Sequence, residues 1–362
     1  MGEDFKPICQ RAEWLDPFYK RVWEKAFQEG IPISGTFELT PRCNFDCKMC
    51  YVHLKNEEIS SHGQELTAAE WLRIAEEAKK AGTTWLCISG GEPLMHPEFK
   101  EIWKSLASMG FYISLQTNAS LISESIVDLF EKCPPRLVKV TLYGTTDDVY
   151  QKVCGIEGGF SRVNDGIHTL MSLGIPVELV STIIRQNVAD LQQMMQYARV
   201  HGLPWRATGG VKSSFRNAEK RVEQVRITEK VDAEMYTDIE HRLSEKRFVD
   251  VNRKPCTYCR DYRLGYCILW NGNMGFCTFL NRPQIPVKEM SFEKAWQLLL
   301  EYEEALEWPR NCQICEASKV CFKCLASLGI TCDGKMTVNG IKCHDIQKFY
   351  KNKIKRKEDY HG

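Results

Sequence analysis

The chain has 362 residues, 43% apolar and 26% charged, a globular composition with enough apolar side chains for a large core. Its 48 Lys plus Arg balance 47 Asp plus Glu, so no net field points to a nucleic-acid partner or an acidic membrane surface. With no membrane span and no signal-peptide core the protein is expected in the cytoplasm, where 17 cysteines argue for metal binding rather than disulfides.

Residues 16–30, "DPFYKRVWEKAFQEG", predict a helix closed by Gly30 and Pro32, inside an N-terminal extension covering 1–34. From Gly35 to about Thr208, β-rich runs alternate with amphipathic helices. Strands are predicted at 36–39, 84–89, 112–116, 137–143, 177–182 and 205–208. They read as near-continuous apolar runs, the pattern of parallel strands buried on both faces. The helix predicted over 68–81 opens with a Thr67 and Glu70 capping box and sets Trp71, Leu72, Ala75 and Ala78 on one face. Six such units with right-handed crossovers give an α/β fold whose parallel sheet is open or curled into a barrel. That unit is expected to span 35–227, followed by a bridging helix in 228–255, a cysteine-rich segment over 256–347 and a basic tail over 348–362. Ten of the 17 cysteines fall between Cys256 and Cys343, the sharpest compositional shift in the chain.

The first cysteines follow the first strand: "RCNFDCKMCYVH" carries Cys43, Cys47 and Cys50. Structural zinc asks for four protein ligands, and three-ligand catalytic zinc usually mixes in His or Glu. An iron–sulfur cluster tolerates one open iron. The second strand ends in "SGGEPL", where Gly90 and Gly91 remove Cβ atoms from a close approach, Glu92 offers an acceptor for an ammonium and Pro93 stops the strand. Other strand ends, where α/β sheets place ligands, add Thr117, Asn118, Tyr143, Ser181, Thr182 and Arg185. No catalytic acid or base is assigned; His53, Asp147 and Asp148 stand where one could act and also read as surface or capping residues.

"CNFDCKMCY" resembles the Cys-x3-Cys-x2-Cys-aromatic signature of radical S-adenosylmethionine (SAM) enzymes, and "SGGEPL" resembles that family's Gly-Gly-Glu motif. The resemblance continues through 140–179 and implies a partial (β/α)6 barrel with a small cysteine-rich α+β C-terminal domain. It further implies a 4Fe–4S cluster on Cys43, Cys47 and Cys50 whose open iron takes the amino and carboxylate groups of SAM. Electron transfer from that cluster then releases a 5′-deoxyadenosyl radical. Tyr51 resembles the aromatic beside the adenine in this family, and Gly90, Gly91, Glu92, Asn118, Tyr143, Ser181 and Arg185 complete the expected SAM-binding set. Cys9, Cys87, Cys133 and Cys154 are expected to be unligated.

On spacing alone, the paired Cys-x2-Cys units of the C-terminal segment also suit zinc ribbons. The stretches "CRDYRLGYCILWNGNMGFC" and "CQICEASKVCFKC" resemble instead the two halves of the SPASM extension, which implies two auxiliary 4Fe–4S clusters. Carried over, Cys256, Cys259, Cys277 and Cys324 would hold one, and Cys312, Cys315, Cys321 and Cys343 the other. The Cys321-x2-Cys324 spacing is one residue short of the usual pattern, which leaves Cys332 as a rival to Cys324; Cys267 is expected in the core. Enzymes of this pattern mostly modify ribosomally made peptides by thioether or carbon–carbon crosslinking, epimerisation or other oxidation. Sulfatase-maturase-like protein oxidation and small-molecule dehydrogenation or epimerisation are the alternatives. The resemblance also implies a flavodoxin or ferredoxin electron donor. With 42 residues before Cys43, a leader-peptide-binding module is expected to be absent or a separate protein.

Overall fold

The computed structural model describes residues 17–209, 211, 222–227, 255–256, 265–280, 282–319, 325–326, 330–332, 336–338 and 347. Helix α1 (Pro17–Gln28) precedes a series in which β1 (Ser34–Glu38), β2 (Trp85–Ser89), β3 (Tyr112–Thr117), β4 (Leu137–Thr141), β5 (Val177–Thr182) and β6 (Trp205–Thr208) pair in sequential order, all parallel. The intervening helices are α2 (Asn56–His62), α3 (Ala68–Lys80), α4 (Phe99–Ser108), α5 (Glu124–Lys132), α6 (Asp147–Cys154), α7 (Gly159–Ser172) and α8 (Leu191–Val200). The sheet does not close, so this is the partial barrel the sequence predicts. The expected helices over 16–30 and 68–81 are present, and Thr67 and Glu70 form the predicted capping box at the start of α3. The bridging helix and the basic tail lie almost wholly outside the described residues.

One expectation about the strands changes. β2 and β4 alternate buried and half-buried residues rather than burying both faces. Leu86, Ile88, Val138, Val140, Leu115 and Leu179 pack under the helices, and Phe37 stacks on Trp71 of α3 with ring centroids 4.9 Å apart. Their alternate neighbours Thr36, Cys87, Ser114, Gln116, Lys139 and Glu178 line the concave face, as the two-residue pleat requires. The physical reason is the open barrel: the helices that connect its strands cover the outer face. α1 lies against the sheet, with Trp23 5.5 Å from Trp85 and Trp85 stacked 5.9 Å from Tyr112.

The cysteine-rich segment adds to the same sheet. Strand β7 (Tyr266–Ile268) pairs parallel to β1, and β8 (Asn273–Gly275) and β9 (Ile285–Pro286) continue antiparallel, giving nine strands in the order β6-β5-β4-β3-β2-β1-β7-β8-β9. A Cβ at Gly35 would stand 2.3 Å from the Tyr266 ring, so only glycine lets β7 dock there. Helix α9 (Phe292–Ala305) covers this half, with Trp296 donating to the Gly30 carbonyl at 2.6 Å. It is tied to α3 through Arg73 donating to the Val287 carbonyl and the Phe292 N–H donating to Glu77. Helix α10 (Arg310–Gln313) and a hairpin of β10 (Ile330–Cys332) and β11 (Met336–Val338) complete the described elements. Cys267 is buried in the core, as expected.

Candidate functional site

The loop from Cys43 to Cys50 hangs at the C-terminal ends of the parallel strands and is held from three sides. Helix α6 ends at Gly155 in the left-handed conformation (φ 66°), which leaves its last carbonyls unpaired within the helix. The Asp46 N–H donates to the Cys154 carbonyl at 2.9 Å and the Lys48 N–H to the Val153 carbonyl at 3.0 Å. From β2, the Gly91 N–H donates to the Thr40 carbonyl at 2.7 Å and the Glu92 N–H to the Arg42 carbonyl at 2.8 Å. From β3, Asn118 donates to the Asn44 side chain at 2.9 Å, and Asn44 donates to Ser120 at 2.8 Å.

The glycines of "SGGEPL" have a clear steric cause. A Cβ on Gly91 would lie 2.3 Å from the Arg42 carbonyl oxygen, and one on Gly90 2.9 Å from that of Thr40. The space a Cβ would take at each is therefore filled by the backbone that leads into the cysteine loop. Glu92 is likewise occupied within the protein. It is fully buried and accepts from Thr117 and the Asn118 N–H at 2.8 Å each and from the Leu94 N–H at 3.1 Å. Burial pushes its carboxyl up to about 7 against the opposing pull of those three hydrogen bonds. Its carboxylate fastens β2 to β3 beneath the loop.

Cys43 and Cys50 are half-buried and Cys47 is buried. Cys43 accepts the Phe45 N–H at 3.4 Å, and Cys50 accepts those of His53 at 3.2 Å and Val52 at 3.5 Å. Amide donors aimed at sulfur stabilise thiolate and tune a cluster held there. Burial, with the Glu92 charge next, raises the Cys43 thiol far above its ordinary value, so deprotonation at this site is coupled to metal binding. Among the described residues no three His, Cys, Asp or Glu side chains converge on a single ion. A cubane asks something different, since each thiolate binds its own iron. Three thiolates fit a 4Fe–4S cluster, which leaves one iron open, whereas a structural zinc asks for four protein ligands.

The other expected residues separate into two groups. Tyr51, Asn118 and Tyr143 gather at the loop. Tyr51 packs on Phe279 with centroids 4.1 Å apart and its hydroxyl meets Thr278 at 3.4 Å. The Tyr143 phenol is pushed well above its ordinary value by burial, with Cys47, Cys154 and Cys50 within its electrostatic reach. Ser181 and Arg185 lie elsewhere. Ser181 is fully buried on the helix side of β5, donating to the Leu142 carbonyl at 2.5 Å and accepting from Trp205 at 2.8 Å. Arg185 is exposed and donates to the Arg226 carbonyl at 2.7 Å. Of the candidate acids and bases, Asp147 accepts twice from Ser161, a capping arrangement, and His53 lies 3.5 Å from Asp46.

Sequence reasoning missed Asn44, Ser120, Phe279 and Thr278. Asn44 sits inside the cysteine motif, but nothing local marks a partner 74 residues away. In the C-terminal segment Cys256, Cys277, Cys312 and Cys315 are half-buried, with Cys277 accepting the Phe279 N–H at 3.4 Å. Cys259, Cys321, Cys324 and Cys343 lie outside the described residues.

A three-thiol loop laced over the mouth of an open, parallel α/β barrel is the donor set of an iron–sulfur protein. A family model described as the radical SAM superfamily matches residues 37–198. A probable GTP 3′,8-cyclase from Methanocella arvoryzae is 30% identical over 263 residues, 67% of this chain and 83% of that one. This chain belongs to the radical SAM superfamily, and membership brings a 4Fe–4S cluster and SAM as cofactors. A PqqA peptide cyclase from Ruegeria pomeroyi is 30% identical over 169 residues, 46% of this chain; the chain spans 44% of that relative's length. Streptococcus suis SuiB bound to SAM shares the fold with a TM-score of 0.62 at 14% identity, covering 84% of this chain and 76% of SuiB. The protein anSMEcpe with bound AdoMet gives 0.58 at 15% identity, covering 89% and 97%.

Proposed function

We propose that this protein is a radical SAM enzyme that oxidatively modifies a ribosomally made peptide by hydrogen-atom abstraction. The observation that carries the radical chemistry is the Cys43–Cys50 loop sewn to β2, β3 and α6 at the barrel mouth. Cys43, Cys47 and Cys50 hold the cluster, which when bound supplies the electron that cleaves SAM. Tyr51, Gly90, Gly91, Asn118 and Tyr143 surround the SAM. Glu92 acts beneath them by fixing the loop, and Ser181 acts at one remove by holding β5 to β6. The peptide reading is supported by the open sheet, whose described part ends at β6, and by a fold shared with SuiB, which has been solved bound to its precursor peptide SuiA. Cys256, Cys277, Cys312 and Cys315, with Cys259, Cys321, Cys324 and Cys343, hold two auxiliary clusters that take the electron left on the substrate.

A small-molecule substrate is the second reading. It is favoured by the GTP 3′,8-cyclase relative, matched over 83% of its length against 44% for the peptide cyclase. The test is anaerobic reconstitution with iron and sulfide, then reaction with SAM and reductant. About twelve irons per chain are expected for three clusters, against about four for the first alone. 5′-Deoxyadenosine should form, and candidate peptides encoded near the gene should lose mass in multiples of one hydrogen pair. A Cys43→Ala/Cys47→Ala/Cys50→Ala variant should release no deoxyadenosine. Undiminished release would overturn the radical reading; turnover of GTP with unaltered peptides would select the second.

A further inference from the structure

Away from the cysteine loop, two histidines meet in the helical layer outside the barrel. His168, exposed on α7, and His201, half-buried just past α8, stand with ring centroids 4.9 Å apart and planes 74° to one another. Neither imidazole hydrogen-bonds or ion-pairs with a described residue, so both nitrogens of each ring are uncommitted among those residues. His201 is nevertheless held in place. Its ring packs on Tyr197 at 4.4 Å, the Tyr197 hydroxyl donates to the Asn164 side chain of α7 at 2.8 Å, and Phe160 of α7 meets the Tyr197 ring at 5.9 Å. Imidazoles with fixed rings and uncommitted nitrogens are what a metal site requires of its ligands.

We propose that His168 and His201 form a two-histidine site for a divalent transition cation that favours imidazole, such as Zn²⁺, bridging α7 and the end of α8. A metal–nitrogen bond of about 2 Å puts the ion roughly 3 Å from each ring centre, so two imidazoles at a tetrahedral or octahedral angle stand about 4.5–5 Å apart. The observed 4.9 Å falls in that range. Burial, with the His168 charge next, holds the His201 imidazole below its ordinary value, which keeps it in the neutral, ligating form near neutral pH. His201 also caps the C-terminal end of α8, where the helix dipole favours positive charge. Among the described residues no third His, Cys, Asp or Glu side chain converges on the pair, so water completes the coordination and the ion exchanges readily. An ion held there joins α7, which leads into β5, to the turn that leads from α8 into β6. The pair shares no residue with the thiol loop or the SAM-binding set, and the site stands whichever substrate the barrel takes.

The test is anaerobic diethylpyrocarbonate labelling of the reconstituted holoenzyme, with Zn²⁺ titrated in and each histidine read separately by peptide mass spectrometry. A local readout is needed because the many cysteines also bind zinc. Zn²⁺ should slow labelling of His168 and His201 together and leave the exposed His62 unchanged. Mg²⁺, which takes oxygen ligands, should protect neither. In His168→Gln, half-protection of His201 should need about tenfold more Zn²⁺ or beyond, since losing even a group that supports a ligand costs a metal site that much. His201→Gln should do the same to His168. His168 is exposed and without a hydrogen bond to a described residue, so its variant should match the parent in iron content and in unfolding midpoint with chelator present. Labelling of both histidines unchanged by Zn²⁺, or protection of His201 that survives His168→Gln, would overturn the site. Equal protection at His62 would overturn it as well, because the zinc would then be binding single imidazoles.

Discussion

The two faces of the six parallel strands are made from the same short segments and do opposite things. The convex face presents Phe37, Leu86, Ile88, Leu115, Val138, Val140 and Leu179, nearly all without exposure, to a layer of helices. The concave face presents Thr36, Cys87, Ser114, Gln116, Lys139 and Glu178. The first is the hydrophobic core and the second a more polar lining, and they are separated by one residue of sequence. A single-residue register slip would exchange them, so the βα connections that fix register protect both.

That division predicts unequal responses to mutation. Phe37→Ala removes a ring stacked on Trp71 in a fully buried position and should cost about 3–5 kcal/mol in denaturant unfolding, the range for large core truncations. A loss below about 1 kcal/mol would mean that the convex face is not the core it is taken to be here.

Between the faces, at the strand ends, lies the loop contact. Gly91→Ala would drive a Cβ to 2.3 Å from the Arg42 carbonyl, a backbone atom that cannot rotate away. Relief requires the cysteine loop to shift from β2, at about 1–3 kcal/mol of overpacking strain. Reconstituted iron and SAM binding should fall much more than the unfolding midpoint. Equal falls in all three would mean that the contact is merely structural.

The concave face sharpens the contrast. Lys139→Met keeps the stem length and removes the charge of a half-buried side chain, and should cost less than Phe37→Ala in denaturant unfolding. A destabilisation as large as that of Phe37→Ala would make the lumen a second core and erase the distinction.

Much of this division was readable from residues. The strand "WLCIS" was legible as a strand, and the capping box at Thr67 and Glu70 fixed the start of α3. The thiol loop and the Gly-Gly-Glu turn were likewise legible, because their chemistry is local. Curvature was not legible: apolar runs such as "LVKVTLY" read as strands buried on both sides, which holds for β1 but not for β2 and β4, whose alternate residues are half-buried. Ser181 illustrates the cost. At a strand end it looked like a ligand contact, but pleat parity turns it toward Met194 and Trp205 on the helix side. The pairing of β7 beside β1 escaped for another reason. It joins segments more than two hundred residues apart, and its one local cue, the missing side chain at Gly35, has meaning only once Tyr266 is opposite.

The smallest expected effect concerns how that distant segment is held. Lys288, just beyond β9, lies 2.8 Å from Glu70 on α3, so one carboxylate serves both the helix cap and the attachment of the C-terminal strands. Burial acts first and upward on the Glu70 carboxyl, but hydrogen bonds from Lys288 and Thr67 outweigh it and hold it below its ordinary 4.5. A carboxylate depressed in the folded state contributes stability that is complete above pH 4.5 and lost as pH falls through that value toward the lower folded one. The pair is about one-third exposed, so the contribution is under about 1 kcal/mol. Glu70→Gln should therefore lower the unfolding midpoint slightly at pH 7 and converge with the parent protein in acid below pH 4. Hydrogen exchange near Val287 and Phe292 should report the same difference, because Arg73 and Glu77 on the same helix hold those residues to α3. If the two proteins differ as much in acid as at neutrality, the ionised carboxylate is not what joins the halves, and the Glu70 contribution must be steric.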